Sequence, residues 1–144
     1  MTRDGSDLFE ALKGTIHGKT QVHDRRVDLT AAGIWRLTGQ GHLDFGGGEY
    51  RAAPAEEIMP EKRQPGDDYG WWTLDAGLYR VVFNERLTAG RALLRSLPRL
   101  LDAGACVPAR TVEAGGDIVA LLVVGDAGLS VKENARLAGL YDRP

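Results

Sequence analysis

The sequence holds a single cysteine in 144 residues, so no internal disulfide is available and the fold must rest on its own core. Cys106 sits in the apolar run Ala105-Cys106-Val107 and reads as a buried free thiol, which fits a reducing cytoplasm. Histidine is almost as scarce. His17, His23 and His42 stand in no paired spacing with one another or with the cysteine, which excludes a Cys/His zinc site and leaves surface or satisfied histidines. No apolar stretch approaches a membrane span, and the start, Met1 to Asp7, is polar where a signal peptide would be apolar. A soluble, cytoplasmic protein is expected. Positive charge is not concentrated: 18 Lys+Arg against 20 Asp+Glu give a net charge of −2 with no long basic block, so neither nucleic acid nor a membrane is the expected partner.

Glycine, in contrast, is abundant at 19 residues and dispersed rather than periodic. Many short alternating segments with glycine between them predict an all-β fold with many turns, and the length suits one domain over residues 1–144. Asp7 to Leu12 offers one or two helical turns, with Ser6 as the expected N-cap and Glu10 near the capping-box position. Val27 to Thr30 opens the first clear strand and Gly33 to Thr38 is a second. His42 to Phe45 alternates again and stops at Gly46-Gly47-Gly48. Pro54, Pro60 and Pro65 mark a surface loop or edge strand, in which Glu56, Glu57, Asp67 and Asp68 read as solvated residues rather than metal ligands.

Trp71 to Leu74 and Leu78 to Phe83 read as two strands of a hairpin around Asp75-Ala76-Gly77. Ala92 to Leu101 is too densely apolar to alternate and contains Pro98. A strand ending near Arg95 followed by a short helix that starts at Pro98 and stops at Gly104 fits it best. Ala105 to Val112 is expected as one strand and Asp117 to Val124 as a buried one. Gly125 to Gly128 then reads as a hairpin turn before the last strands, Leu129 to Leu140.

These segments, in this order, resemble the dUTPase and dCTP deaminase superfamily, in its deaminase-like, archaeal-type branch. Val27-Asp28-Leu29 resembles the V-D-L that opens the family's domain. The run Trp72 to Val81, W-T-L-D-A-G-L-Y-R-V, resembles its W-x-L-x-P-G-x-Y-x-V segment. Asn84-Glu85, Ala120 to Val124 and Asn134-Ala135-Arg136-Leu137-Ala138 resemble the pieces that follow. The likeness covers Val27 to Leu140 and leaves residues 1–26 as an N-terminal arm. It implies a β-clip, or distorted jelly-roll, with one or two short helices. It also implies a homotrimer with sites between subunits and a deoxynucleoside triphosphate, dUTP or dCTP, bound with Mg²⁺ through its phosphates; no metal ligand from the chain itself is expected.

Hydrolysis of dUTP to dUMP and pyrophosphate needs cationic groups for the phosphates and an acid to orient water. On the family's pattern Arg95, Ser96 and Arg99 fall to the phosphates, Glu113 to the catalytic acid and Gly115 to the sugar-reading turn. A second register leaves Thr111 in the acid's place, and surface arginines and a turn glutamate remain open alternatives. The aromatic residue of that turn is missing, and Gly139 stands where the family usually carries Gln. The strand Asp117 to Leu122 has an apolar residue where a deaminase needs Glu. A dUTP hydrolase is therefore the first expectation, a catalytically degenerate nucleotide-binding or interaction module the second, and a dCTP deaminase the third.

Overall fold

In the computed structural model, residues 3–142 are described. They form twelve strands and three short helices, one helix more than the resemblance implies. The organising strand is β2, Arg26–Leu37. Its first half pairs with β12, Arg136–Asp142, its second half with β5, Gly77–Phe83, and its end with β3, Ala55–Ile58. Val27, Leu29, Ala31 and Ile34 on this strand are fully buried. Two strands were expected here, Val27 to Thr30 and Gly33 to Thr38, separated at Ala31-Ala32. The chain instead absorbs those residues as a bulge between Ala31 and Gly33, which bends one continuous strand from one part of the sheet into the next.

Outward from β2 the main sheet continues on one side through β5 and β10, Val119–Val124, to the short β8, Ala105–Cys106. On the other side it continues through β12 and β7, Arg91–Ser96, to β9, Arg110–Glu113. Residues expected as one strand, Ala105 to Val112, are thus two, and they belong to opposite ends of the sheet. The break at Val107-Pro108-Ala109 has a chemical cause, since Pro108 cannot donate to a ladder.

Two expected hairpins are absent for a related reason. β4, Trp71–Leu74, pairs with β11, Leu129–Lys132, and not with β5. Likewise β10 and β11 flank Gly125 to Gly128 without pairing. Alternation marks a strand but not its partner. Here the partner is set by burial of Trp72, Leu74 and Val131 against the main sheet's core. His42 to Phe45 is not a strand. Only an isolated bridge joins His42 to Arg51, Asp44 caps the backbone N–H groups of Gly47 and Glu49, and Leu43 and Phe45 stand in solvent.

The segment ahead of β2 is laid against it. α1, Gly5–Glu10, is capped by Asp4 rather than the expected Ser6, and Asp7 completes the capping box. Leu8 is fully buried in the core. β1, Leu12–Lys13, pairs with β6, Arg86–Leu87, and α2, Gly18–Gln21, leads to the turn into β2. α3, Pro98–Asp102, has Pro98 in its first turn and Gly104, at φ 95°, just past its end, as the sequence predicts. Cys106 is half-buried rather than buried. No helix among the described residues is long and apolar enough to cross a membrane.

Candidate functional site

Position 28 falls on the outer face of β2, yet Asp28 is fully buried. Bare burial of a carboxylate is prohibitive, so it must be paired. Three side chains do this: Arg26 Nε donates to Oδ1 at 2.8 Å, while His23 Nε2 at 2.9 Å and Arg136 Nη1 at 3.0 Å meet Oδ2. Local structure brings each of them in. His23 N–H donates to the Arg26 carbonyl, a tight turn that sets both side chains beside Asp28. Gly5 of α1 fits against that turn so closely that a Cβ would lie 1.8 Å from the His23 carbonyl oxygen. On the far side Asn134, at φ 67°, makes the sharp entry into β12, a conformation Asn tolerates better than most residues. Asn84 Nδ2 holds its side chain at 2.8 Å. Ala135 and Arg136 are thereby turned inward.

A cavity of about 510 Å³ opens beside this cluster, lined by His23, Arg26, Asp28, Leu97, Pro98, Arg99, Ala135 and Arg136. Three arginines and a histidine face one carboxylate, so the cavity suits an anion. The Arg26 guanidinium is held firmly protonated, chiefly by its hydrogen bond to Asp28, with Tyr141 adding to the same effect. Among the described residues no group of three or more His, Cys, Asp or Glu could hold a metal ion. Both Asp28 oxygens are occupied by cations, so a Mg²⁺ ion, which needs oxygen ligands, is not fitted by this donor set.

The sequence-predicted residues divide between this cavity and a second one. Arg99, on α3, lines the arginine cavity. Arg95 is not among the lining residues: it pairs in register with Gly139 and lies over the Tyr141 ring, 5.3 Å from the centroid. Ser96 is adjacent but otherwise engaged. Its Oγ donates to the Val107 carbonyl at 2.9 Å and accepts from the Val107 N–H at 2.7 Å, tying the end of β7 to the loop that follows β8. Glu113 and Gly115 line a separate cavity of about 450 Å³ with Arg110, Thr111, Asp117 and Ile118. Glu113 is exposed at the end of β9, opposite Arg91, with a 4.0 Å contact between the charged groups. Gly115, at φ 102°, occupies a conformation that favours glycine. β7 and β9 are paired, and their register puts Glu113 and Arg95 on one face four residues apart, about 13 Å along the strand. One chain therefore brings Arg99 to one opening and Glu113 and Gly115 to another, with Arg95 lining neither.

Sequence reasoning missed His23, Arg26, Asp28 and Arg136 as site residues. Asp28 and Arg136 stood inside segments quoted for their likeness, and that placement was the one signal they carried; their ion pair arises only when β2 and β12 align.

No protein-family model matches the sequence. A protein of Methanosarcina mazei named probable deoxyuridine 5'-triphosphate nucleotidohydrolase is 30% identical over 135 residues, which span 90% of this chain and 75% of the relative. One of the same name from Archaeoglobus fulgidus is 30% identical over 128 residues, 85% of this chain and 71% of the relative. In fold, the chain is similar to the crystal structure of 2'-deoxycytidine 5'-triphosphate deaminase from Agrobacterium tumefaciens, with a TM-score of 0.70 at 14% identity, over 99% of this chain and 48% of that one. The fold match and relatives at this identity agree, and the chain belongs to the dUTPase and dCTP deaminase superfamily.

Proposed function

We propose that the chain is a dUTP nucleotidohydrolase, converting dUTP to dUMP and pyrophosphate, with the polyphosphate seated in the arginine cavity. The observation that carries this is the cavity itself: Arg26, Arg99 and Arg136 converge on it from three elements of the fold. Its walls come from His23, Arg26 and Asp28, from Leu97 to Arg99, and from Ala135 and Arg136. Guanidinium groups match phosphate oxygens in a fork geometry and neutralise charge that develops during phosphoryl transfer.

Glu113 is assigned the water-orienting carboxylate and Gly115 the close approach to the sugar. Since they open to a different cavity of the same chain, the complete site would join the Glu113 turn of one copy to the arginine cavity of another, as in a homotrimer. Arg95 contributes from over the Tyr141 ring, and Ser96 acts by holding Val107 in place. Magnesium, which the resemblance implies, would be held through the nucleotide's own phosphates, because the cavity's carboxylate is already paired. The lone half-buried thiol supports a cytoplasmic setting.

The test is pyrophosphate release from dUTP with Mg²⁺ present. Turnover by the wild type and a loss of about 10²-fold in Glu113→Gln are expected for a group that assists proton movement. Sedimentation of the intact chain checks the trimer, and a monomer that still turns over dUTP would overturn the shared site.

A nucleotide-binding member without turnover is the second reading. It is favoured by the exposure of Glu113 and by the commitment of the Ser96 hydroxyl to Val107. Binding of dUTP without pyrophosphate release would establish it. Deamination of dCTP ranks third, since β10 carries no carboxylate. Ammonia release from dCTP would reinstate it.

A further inference from the structure

Three side chains hold Asp28, and only one of them can release a proton. The guanidinium groups of Arg26 and Arg136 stay charged, whereas an imidazole gains and loses its proton in the range where most enzymes work. That imidazole is His23, in the turn before β2, and it lines the arginine cavity, which His17 and His42 do not. His17 instead meets the Thr20 hydroxyl through Nδ1 at 2.8 Å.

The His23 ring is fixed from one side. Nε2 lies 2.9 Å from Asp28 Oδ2, and because a carboxylate only accepts, the hydrogen of that contact belongs to Nε2. The contact leaves Nδ1 for a second partner. Asp28 is itself anchored, since it is fully buried and its oxygens are held by Arg26 and Arg136. A buried carboxylate behind an imidazole orients the ring and stabilises its charged form, in which both nitrogens donate. The other charged groups around the ring are Asp24 and Arg25 in its own turn and Arg99 of α3 in the cavity wall, while α1 presents Gly5 to the turn. His23 is also 37% exposed, so water can return a proton to it after each cycle.

We propose that His23, held through Nε2 by Asp28, is the general acid of this site and donates from Nδ1 to the oxygen that leaves with pyrophosphate. In this step a water oxygen bonds to the α-phosphorus while the bond from that phosphorus to the α–β bridging oxygen breaks. The water's proton passes to Glu113 of the neighbouring copy, and the His23 proton goes to the departing bridging oxygen. Glu113 then gives its proton to solvent, and His23 takes one back. The arginines neutralise charge on the departing oxygen but cannot protonate it, which is what a histidine among them adds. This rests on the reading of the chain as a dUTP hydrolase and adds to it the acid half of the proton transfer.

Steady-state turnover by the full chain with Mg²⁺, in wild type and His23→Gln, tests this on two substrates. Glutamine keeps a donor for Asp28 but has no proton to transfer. On dUTP, kcat is expected to fall about 10²-fold, the lower end for general acid catalysis. KM and the affinity for inorganic triphosphate should stay within about fivefold, the ceiling for a partly solvated contact. The second substrate is the dUTP analogue with sulfur in the α–β bridge, whose leaving group departs as a stable thiolate and needs no proton. On it, His23→Gln should turn over nearly as fast as wild type.

A loss of equal size on both substrates would make His23 a positioning residue and overturn the inference. An unchanged kcat on dUTP would overturn it too, and either result leaves the hydrolase reading in place. A wild type that does not turn over dUTP overturns that reading and this inference with it. If His23→Gln does not fold, wild type carrying isotope-labelled histidine decides by nitrogen NMR. Inorganic triphosphate should then move the His23 Nδ1 resonance and leave those of His17 and His42 in place, and an unmoved His23 Nδ1 overturns the inference.

Discussion

Asp28 and Glu85 are both fully buried carboxylates at the same strand, and the chain treats them in opposite ways. Asp28 is wrapped by Arg26, Arg136 and His23. Glu85 is wrapped by neutral donors: the Thr30 backbone N–H at 2.8 Å, the Thr30 hydroxyl at 2.6 Å and Gln21 Nε2 at 2.9 Å. Thr30 is two residues along β2 from Asp28, and Gln21 also donates to the Asp28 carbonyl at 2.9 Å, so the two clusters share a frame. The difference teaches where charge is wanted. Around Glu85 the space is closed, and neutral hydrogen bonds fix α2 and the turn that follows it to β2. Around Asp28 the space opens into a cavity, and cations outnumber the acid that holds them.

Removal of the Asp28 charge should have the largest effect. Asp28→Asn keeps the volume but leaves two guanidinium groups facing a neutral amide. Deleting one partner of a buried ion pair costs about 3–5 kcal/mol, and since Arg26 and Arg136 retain some solvent the expected loss is about 3 kcal/mol. Urea unfolding measures it. A loss below that of a surface substitution would mean the three partners do not hold β2 to β12 and the turn before it.

Glu85→Gln comes next, because here no charge pair is broken. An amide can accept at one atom only, so its NH₂ must face a donor from Thr30 or Gln21. One unsatisfied or opposed buried donor costs about 1–3 kcal/mol. The pH dependence sharpens the contrast. Burial is the largest influence on the Glu85 carboxyl and raises its pKa above the ordinary value, against the hydrogen bonds that lower it. A raised folded-state pKa means stabilisation that is complete below the unfolded-state pKa and lost as pH rises through the folded one. The advantage of wild type over Glu85→Gln should therefore shrink between mildly acidic and neutral pH in paired urea titrations. An advantage that grows over that range would show that the hydrogen bonds outweigh burial.

Much of the fold was legible where a residue's own backbone chemistry dictates structure. Pro98 and Gly104 bracket α3 because one cannot extend a helix backward and the other readily adopts φ 95° at its end. Partnership was not legible. Nothing in Trp71 to Phe83 distinguishes a hairpin from two strands in different sheets, because both patterns alternate and only tertiary burial separates them. The site was read in halves for the same reason. Arg99 is a cation in a family-like segment and could be named; Asp28 and Arg136 are 108 residues apart, and their ion pair exists only after β2 and β12 align. Arg26 was invisible as a site residue because its place depends on the missing side chain of Gly139.

The smallest effect is expected at His23, and it tells which of the three partners belongs to the fold and which to the cavity. Its side chain is 37% exposed, against 0% for Asp28, and its turn is held independently by the His23 N–H to Arg26 carbonyl bond and by the close fit of Gly5. His23→Gln keeps a donor able to reach Asp28 Oδ2. A partly solvated pair of this kind contributes about 0–1 kcal/mol, so urea unfolding should move by less than that, well under the Asp28→Asn change. Triphosphate binding should fall by less than in Arg26→Gln, since both arginines stay aimed by the same carboxylate. A loss of stability equal to that of Asp28→Asn would mean that the turn, and not the ion-pair cluster, is what keeps Asp28 buried, and the contrast with Glu85 would then be one of position rather than of charge.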